Sequence, residues 1–175
     1  ARQGRFDKAM ATLAPGLEKN DRDPVMLTLA GQIHLLQGDT ERAQSYFKKA
    51  SGLDPQDPVK RTSLAVSRLM SGQTEAALDE LHDIATSDDG VVADMALVNA
   101  LLQKRDVTRA LEAIAALEKK RPADIRAPFL RGRALLLKDD AAGVRKAMER
   151  VLEIDPNYFS AVEILAQLDN AEKRP

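Results

Sequence analysis

The sequence predicts an all-α fold, a right-handed α–α superhelix of about ten helices. Three observations predict it. Short blocks recur with a period of 34 residues, the signature of a repeat built from one supersecondary unit. Within each period apolar residues are spaced by three and four, so they line one face of a helix. Ala and Leu are abundant while aromatics are 3% and Trp is absent, a composition that favours helix over sheet.

The period is read from fixed pairs. Gly38 and Gly72 stand 34 residues apart, as do Ala43 and Ala77, and Pro122 and Pro156. The blocks Gly38-Asp39-Thr40-Glu41-Arg42-Ala43, Gly72-Gln73-Thr74-Glu75-Ala76-Ala77 and Arg105-Asp106-Val107-Thr108-Arg109-Ala110 are copies of one turn and helix start. Asp139-Asp140-Ala141-Ala142-Gly143-Val144 is a weaker copy, and Gly4-Arg5-Phe6-Asp7-Lys8-Ala9 is another.

The elements follow in order. Residues 1–23 match only the second helix of a unit. Residues 24–57 form the clearest unit: Leu27, Ala30, Gly31, Ile33 and His34 on a first helix, a turn at Gly38-Asp39, then Ala43, Phe47 and Ala50 on a second. Pro55 closes it, because Pro cannot continue a helix. Residues 58–90 carry Leu64, Ala65, Gly72, Ala77, Leu81 and Ile84 without a closing Pro. Residues 91–124 carry Leu97, Ala110, Ile114, Leu117 and Pro122, and residues 125–158 carry Gly132, Leu135, Val144, Met148, Val151 and Pro156. Residues 159–175 match a first helix alone. An array that opens and closes mid-repeat is expected to be a fragment of a longer protein, since solenoids normally end in polar caps. The small residues at mid-first helix and early second helix let two backbones approach closely; larger ones would push the pair apart.

Composition excludes several functions. With 26 basic and 27 acidic side chains the net charge is −1, so no basic excess marks a nucleic-acid or polybasic membrane binder. No apolar run is long enough for a membrane span, and the opening Ala1-Arg2-Gln3-Gly4-Arg5-Phe6 does not read as a signal peptide. The absence of Cys removes disulfides, thiol catalysis and zinc–thiolate sites. No nucleophile elbow, phosphate-binding loop or dinucleotide fingerprint occurs. His34 and His82 lack metal-ligand spacing; His34 reads as a core-edge residue bonded to backbone, and His82 as exposed. Ser45-Tyr46-Phe47-Lys48 imitates a penicillin-binding motif, but Phe47 is needed for helix packing. Asp88-Asp89 and Asp139-Asp140 sit at turns, where Asp caps the next helix. No cofactor, metal or catalytic residue is expected.

The unit at 24–57 resembles the tetratricopeptide repeat, with Leu27, Ala30-Gly31, His34, Ala43, Phe47, Ala50 and Pro55 on its pattern positions. Leu replaces the large first aromatic and His the Tyr. The resemblance covers essentially the whole chain. It implies a scaffold that binds a peptide or partner protein on the concave face lined by first helices, with contacts at places two, five, nine, twelve and thirteen of each unit. The resulting candidates are Thr28 and Gln32, then Thr62, Val66 and Met70. Met95, Asn99 and Gln103 follow, then Arg126, Phe129 and Arg133, and on the last helix Glu163 and Gln167. No Lys stands at a fifth place, so a clamp for a peptide C-terminus is not expected. Amides and apolar side chains suit an amphipathic helix or extended peptide, and Arg126 and Arg133 could add a carboxylate or phosphate contact. The alternative is that the apolar residues pack only on neighbouring helices and the arginines are solvated.

The tail Leu165-Ala166-Gln167-Leu168-Asp169 with Lys173-Arg174-Pro175 is similar to repeats of the PEP-CTERM/exosortase-associated tetratricopeptide proteins of Gram-negative bacteria. That resemblance implies an exported bacterial protein tied to exopolysaccharide or envelope assembly, hence periplasmic or outer-membrane-associated; without it a cytoplasmic adaptor fits equally. Two further readings stay open. One is a factor contacting an exopolysaccharide or its synthase directly. The other is a module that self-associates weakly through its repeat ends, helped by an acidic run from Glu75 to Asp94 and a basic one from Lys119 to Lys138.

Overall fold

A computed structural model of the chain describes residues 3–172. They form ten α-helices and, among the described residues, no strand. In order these are α1 Gln3–Lys19, α2 Pro24–Gln37, α3 Thr40–Leu53, α4 Pro58–Met70, α5 Thr74–Ser87, α6 Val92–Gln103, α7 Val107–Lys120, α8 Arg126–Leu136, α9 Ala141–Ile154 and α10 Phe159–Glu172. Two compact units result, Ala1–Ala96 and Leu97–Pro175, with the boundary inside α6.

Helix starts are set by aspartates. Asp23 accepts from the N–H groups of Val25 and Met26, and Asp57 from those of Val59 and Lys60. Asp39, Asp106 and Asp140 each accept from the N–H three residues on. These bonds satisfy donors that the first helical turn leaves open. Pro24 and Pro58 occupy the first turn, where a missing N–H costs nothing. Around Asp57, burial would raise the carboxyl, but bonds from the Lys60 ammonium and N–H outweigh it and hold the group below its ordinary range.

The turn between paired helices is the same four times. Gly38, Gly72, Arg105 and Asp139 all have left-handed backbone, with φ of 83°, 83°, 57° and 56°. Each donates its N–H to the carbonyl three residues back, and the next residue donates to the carbonyl five back, as Asp39 does to His34 at 2.9 Å and Asp106 to Leu101 at 2.9 Å. This 6→1 and 5→2 pattern closes the first helix. Only the first two turns use Gly. Asp139, read from the sequence as a capping residue, instead occupies the left-handed place, while Asp140 makes the cap.

In the first unit the core is Leu27, Ala30, Ala43, Phe47, Ala50, Ala65, Ala77, Leu81 and Ile84, each 2% exposed or less. Gly31 lies against Phe47 so closely that a Cβ would stand 2.6 Å from a ring carbon. In the second unit Val144, Ala147, Met148, Val151 and Ala161 form a cluster, flanked by Phe129, Leu135, Tyr158, Leu165 and Leu168. Gly132 repeats the Gly31 arrangement there, facing the end of Met148. Polar side chains also join helices: Arg61 of α4 reaches Glu80 of α5 at 2.7 Å, and Arg131 of α8 forks onto Glu118 of α7 at 2.6 and 2.8 Å. Glu118 holds the Arg131 guanidinium above its ordinary pKa. The acidic and basic runs therefore contain structural charges, and Asp94 of the acidic run is only 3% exposed.

Two outcomes are expected. A non-Gly residue in left-handed backbone costs about 1–2 kcal/mol, so Arg105→Gly and Asp139→Gly should each stabilise by about 1 kcal/mol, while Gly38→Ala should lose a similar amount; urea unfolding measures all three. Gly31→Ala gains about 0.8–1 kcal/mol of helix propensity but must displace the Phe47 ring, at about 1–3 kcal/mol. It should be destabilising on balance, whereas Gly52→Ala, with nothing within 4 Å, should not.

Candidate functional site

In the first unit the candidate face is carried by α2 and α4. Gln32 is exposed, as are Val25 at 64%, Leu36 at 65%, Val59 at 48% and Met70 at 53%. Thr28 is half-buried and its hydroxyl donates to the Pro24 carbonyl at 2.7 Å. Val66 is half-buried, and Met95 likewise at the start of α6. Thr62 is 4% exposed, and its hydroxyl finds no hydrogen-bond partner among the described residues. Of the places read from the sequence here it presents least to a ligand.

In the second unit Asn99 and Gln103 of α6, Arg126 and Arg133 of α8, and Glu163 and Gln167 of α10 are exposed. Phe129 is half-buried, with its ring edge-to-face on Tyr158 at 5.4 Å. The two arginines differ. Arg126 forks onto Asp124, with Nε at 2.9 Å and Nη2 at 2.5 Å. These bonds hold the Asp124 carboxyl below its ordinary range and raise the Arg126 guanidinium. Arg133 makes no ion pair among the described residues. The pair read together in the sequence thus separates into one neutralised cation and one open to a ligand.

A further feature of this unit is absent from the sequence reading. Helices α7, α8 and α9 border a cleft of about 730 Å³ lined by Glu118, Arg121, Pro122, Arg131, Lys146 and Arg150, among others. The volume suits a small ligand. Acids and bases alternate around it: Arg131 pairs with Glu118, and Arg150 with Glu153 at 2.6 Å. It therefore presents no field of one sign. Residues from 118 to 153 line it, so no local motif could announce it.

His34 is buried, but the expected backbone bond is not made. Its Nδ1 lacks a hydrogen-bond partner among the described residues and lies 3.9 Å from Asp39, while the ring stacks on Tyr46 at 5.5 Å. Packing on an aromatic takes the place of the bond. His82 is exposed. Asp88 accepts from the Gly90 N–H at 3.0 Å, closing a short turn before α6. Among the described residues no group of three or more His, Asp or Glu is placed to hold a metal ion, and no helix is long and apolar enough to cross a membrane.

Paired helices, a left-handed turn and a small residue at most close approaches, with Val98 and Val144 as the larger exceptions, define a helical-hairpin repeat protein. Tetratricopeptide repeat family models match residues 25–57 and 95–159, so the chain carries tetratricopeptide repeats. The BBSome complex member BBS4 of Bos taurus is 33% identical over 84 residues, which cover 48% of this chain and 16% of that protein. Among solved structures, a tetratricopeptide repeat protein from Parabacteroides merdae gives a TM-score of 0.72 at 15% identity, covering 99% of this chain and 69% of that one. YrrB, a tetratricopeptide protein with an unusual peptide-binding site, gives 0.64 at 17% identity, covering 93% and 84%. These likenesses show the fold, an all-α superhelical repeat. Tetratricopeptide proteins generally mediate protein–protein interaction and are generally non-catalytic.

None of these likenesses carries the PEP-CTERM resemblance. The tail motif has a packing account instead: Leu165 and Leu168 of α10 lie on the α9 cluster, and Asp169 pairs with Arg145 at 2.7 Å. Lys173, Arg174 and Pro175 lie outside the described residues.

Asp124 gives a pH test. Its pKa is lower folded than unfolded, so its contribution is complete above about pH 4 and is lost as pH falls through the folded value. Because Arg126 is exposed, the contribution is small, about 0.5 kcal/mol. Asp124→Asn should be less stable than wild type by about that amount at pH 7, and the difference should shrink as pH falls below about 4 toward the folded value, as read by urea unfolding.

Proposed function

We propose that the chain is a non-catalytic scaffold that holds a peptide or partner protein on its first-helix face, the concave face of a tetratricopeptide array. The observation that supports this reading is the exposed apolar set on α2 and α4: Val25, Leu36, Val59 and Met70 are each 48–65% exposed. Covering such side chains contributes about 25 cal/mol per Å². The exposed Gln32 amide stands among them, able to bond a peptide backbone.

In the second unit the face mixes Asn99, Gln103, Glu163, Gln167 and the unpaired Arg133 with the exposed Leu136 and Leu137. A carboxylate or phosphate on the ligand meets Arg133, not Arg126, whose fork is already filled by Asp124. Residues 24–57, 58–90, 91–124 and 125–158 act in this reading as four repeats of one array, flanked by half-repeats at 1–23 and 159–175. An exopolysaccharide ligand fits less well. Sugars stack on open aromatic faces, and Phe129 is turned to Tyr158. An exported, envelope-linked role rests on the tail motif alone.

The test is selection of a random peptide library on the wild-type chain, followed by affinity measurement on face variants that retain wild-type circular dichroism. Val59→Glu with Met70→Glu, and Arg133→Glu, should each weaken the selected peptides at least about tenfold, about 1.4 kcal/mol. His82→Ala, on the exposed side of α5, should leave affinity unchanged. Equal binding by all variants would remove the first-helix face as the site.

A further inference from the structure

The chain holds five methionines and no cysteine, so any sulfur oxidation falls on thioethers alone. The fold separates the five. Met148 is 0% exposed, with its methyl end at the place where Gly132 leaves room for it. Met26 is half-buried, and a Cβ on Gly16 would stand 2.8 Å from its sulfur. Met10 and Met95 are half-buried as well. Met70 alone is exposed, at 53%.

Met70 also lies in the candidate face, at the C-terminal end of α4. Leu36 holds the same place 34 residues earlier at 65% exposure, and Leu137 holds it in the unit at 125–158 at 43%. The place is apolar in these repeats, and only at Met70 can the apolar side chain be oxidised.

We propose that Met70 is a reversible oxidation switch on the partner-binding face, where a peroxide converts its thioether to the sulfoxide and loosens the partner. This rests on the first-helix-face reading above. The sulfur lone pair attacks one peroxide oxygen, the O–O bond breaks and the other oxygen leaves as water. Sulfur loses two electrons and the peroxide gains them. A flexible apolar side chain becomes a polar one with an acceptor oxygen. On the free chain water solvates that oxygen, so the fold is unaffected. Beneath an apolar partner surface the oxygen loses its water without a replacement bond, which is costly. A dithiol, acting through a sulfoxide reductase, takes the oxygen off as water and restores the thioether.

Limited treatment with hydrogen peroxide, followed by mass mapping of peptides, tests the selectivity. In the folded chain Met70 should gain its oxygen at least about fivefold faster than any other methionine, and in urea the five should react alike. Faster reaction at another methionine would overturn the proposal. Binding of the library-selected peptides tests the consequence. The chain oxidised at Met70 should keep wild-type circular dichroism, bind about tenfold more weakly, and recover with a sulfoxide reductase and dithiothreitol. Met70→Leu, which copies Leu36, should bind as wild type does and be indifferent to peroxide. Unchanged affinity on oxidation, with Val59→Glu plus Met70→Glu still damaging, would refute the switch and leave the face as the site. Unchanged affinity in both would remove the face and the switch with it. Loss of affinity in peroxide-treated Met70→Leu would trace the effect to another residue and refute the switch as well.

Discussion

How closely two helices of a repeat can approach governs the rest of the fold. At Gly31 a Cβ would stand 2.6 Å from the Phe47 ring, and at Gly132 it would run into Met148. Interiors are packed near crystalline density, so at these two glycines a larger residue must displace the partner side chain, whereas the same place takes the buried Ala65 and Val98 in the repeats between. The pairing of small with large sets the separation within the repeat. The buried Ala43, Ala50 and Ala77 keep neighbouring second-helix surfaces equally low. Cap and turn then only have to aim the helices. The left-handed turn does so with the same two backbone bonds four times, and an aspartate cap follows it at every turn but the second, where Gln73 makes no side-chain bond.

Much of this was legible in the sequence, for a physical reason. A 34-residue period with Gly, Ala and Pro at fixed places has few solutions, because each residue type answers one backbone or packing demand. What escaped notice was what the same backbone tolerates. Arg105 and Asp139 adopt the left-handed turn without Gly, since the two turn bonds and the following cap hold them there. Asp94 occupies a buried first-helix place where Leu27 stands in an earlier repeat. Net charge and charge runs could not reveal either, because they carry no information on which face a helix turns inward.

The candidate site shows the same division. Its apolar members on α2 and α4 follow from helical spacing. Its charges do not, because pairing decides their availability. Arg126 and Arg133 look equivalent seven residues apart on α8, yet Asp124, two residues before Arg126, takes up one and not the other. Phe129 similarly spends its ring edge on Tyr158. A protein-binding face made of exposed methyl groups and amides, with charge held in reserve at few points, favours recognition by shape and backbone bonding over long-range attraction.

The pattern of helix contacts has a kinetic side. Within each unit the helices mostly touch those next to them in the chain, α1 with α2, α2 with α3, α3 with α4, α7 with α8, α8 with α9 and α9 with α10. Closing such contacts requires only short loops, whose entropic cost is small. Low contact order of this kind favours fast folding. A hairpin buries its apolar face only against its neighbours, so structure can accumulate in the order of synthesis as successive hairpins leave the ribosome, without waiting for a distant strand.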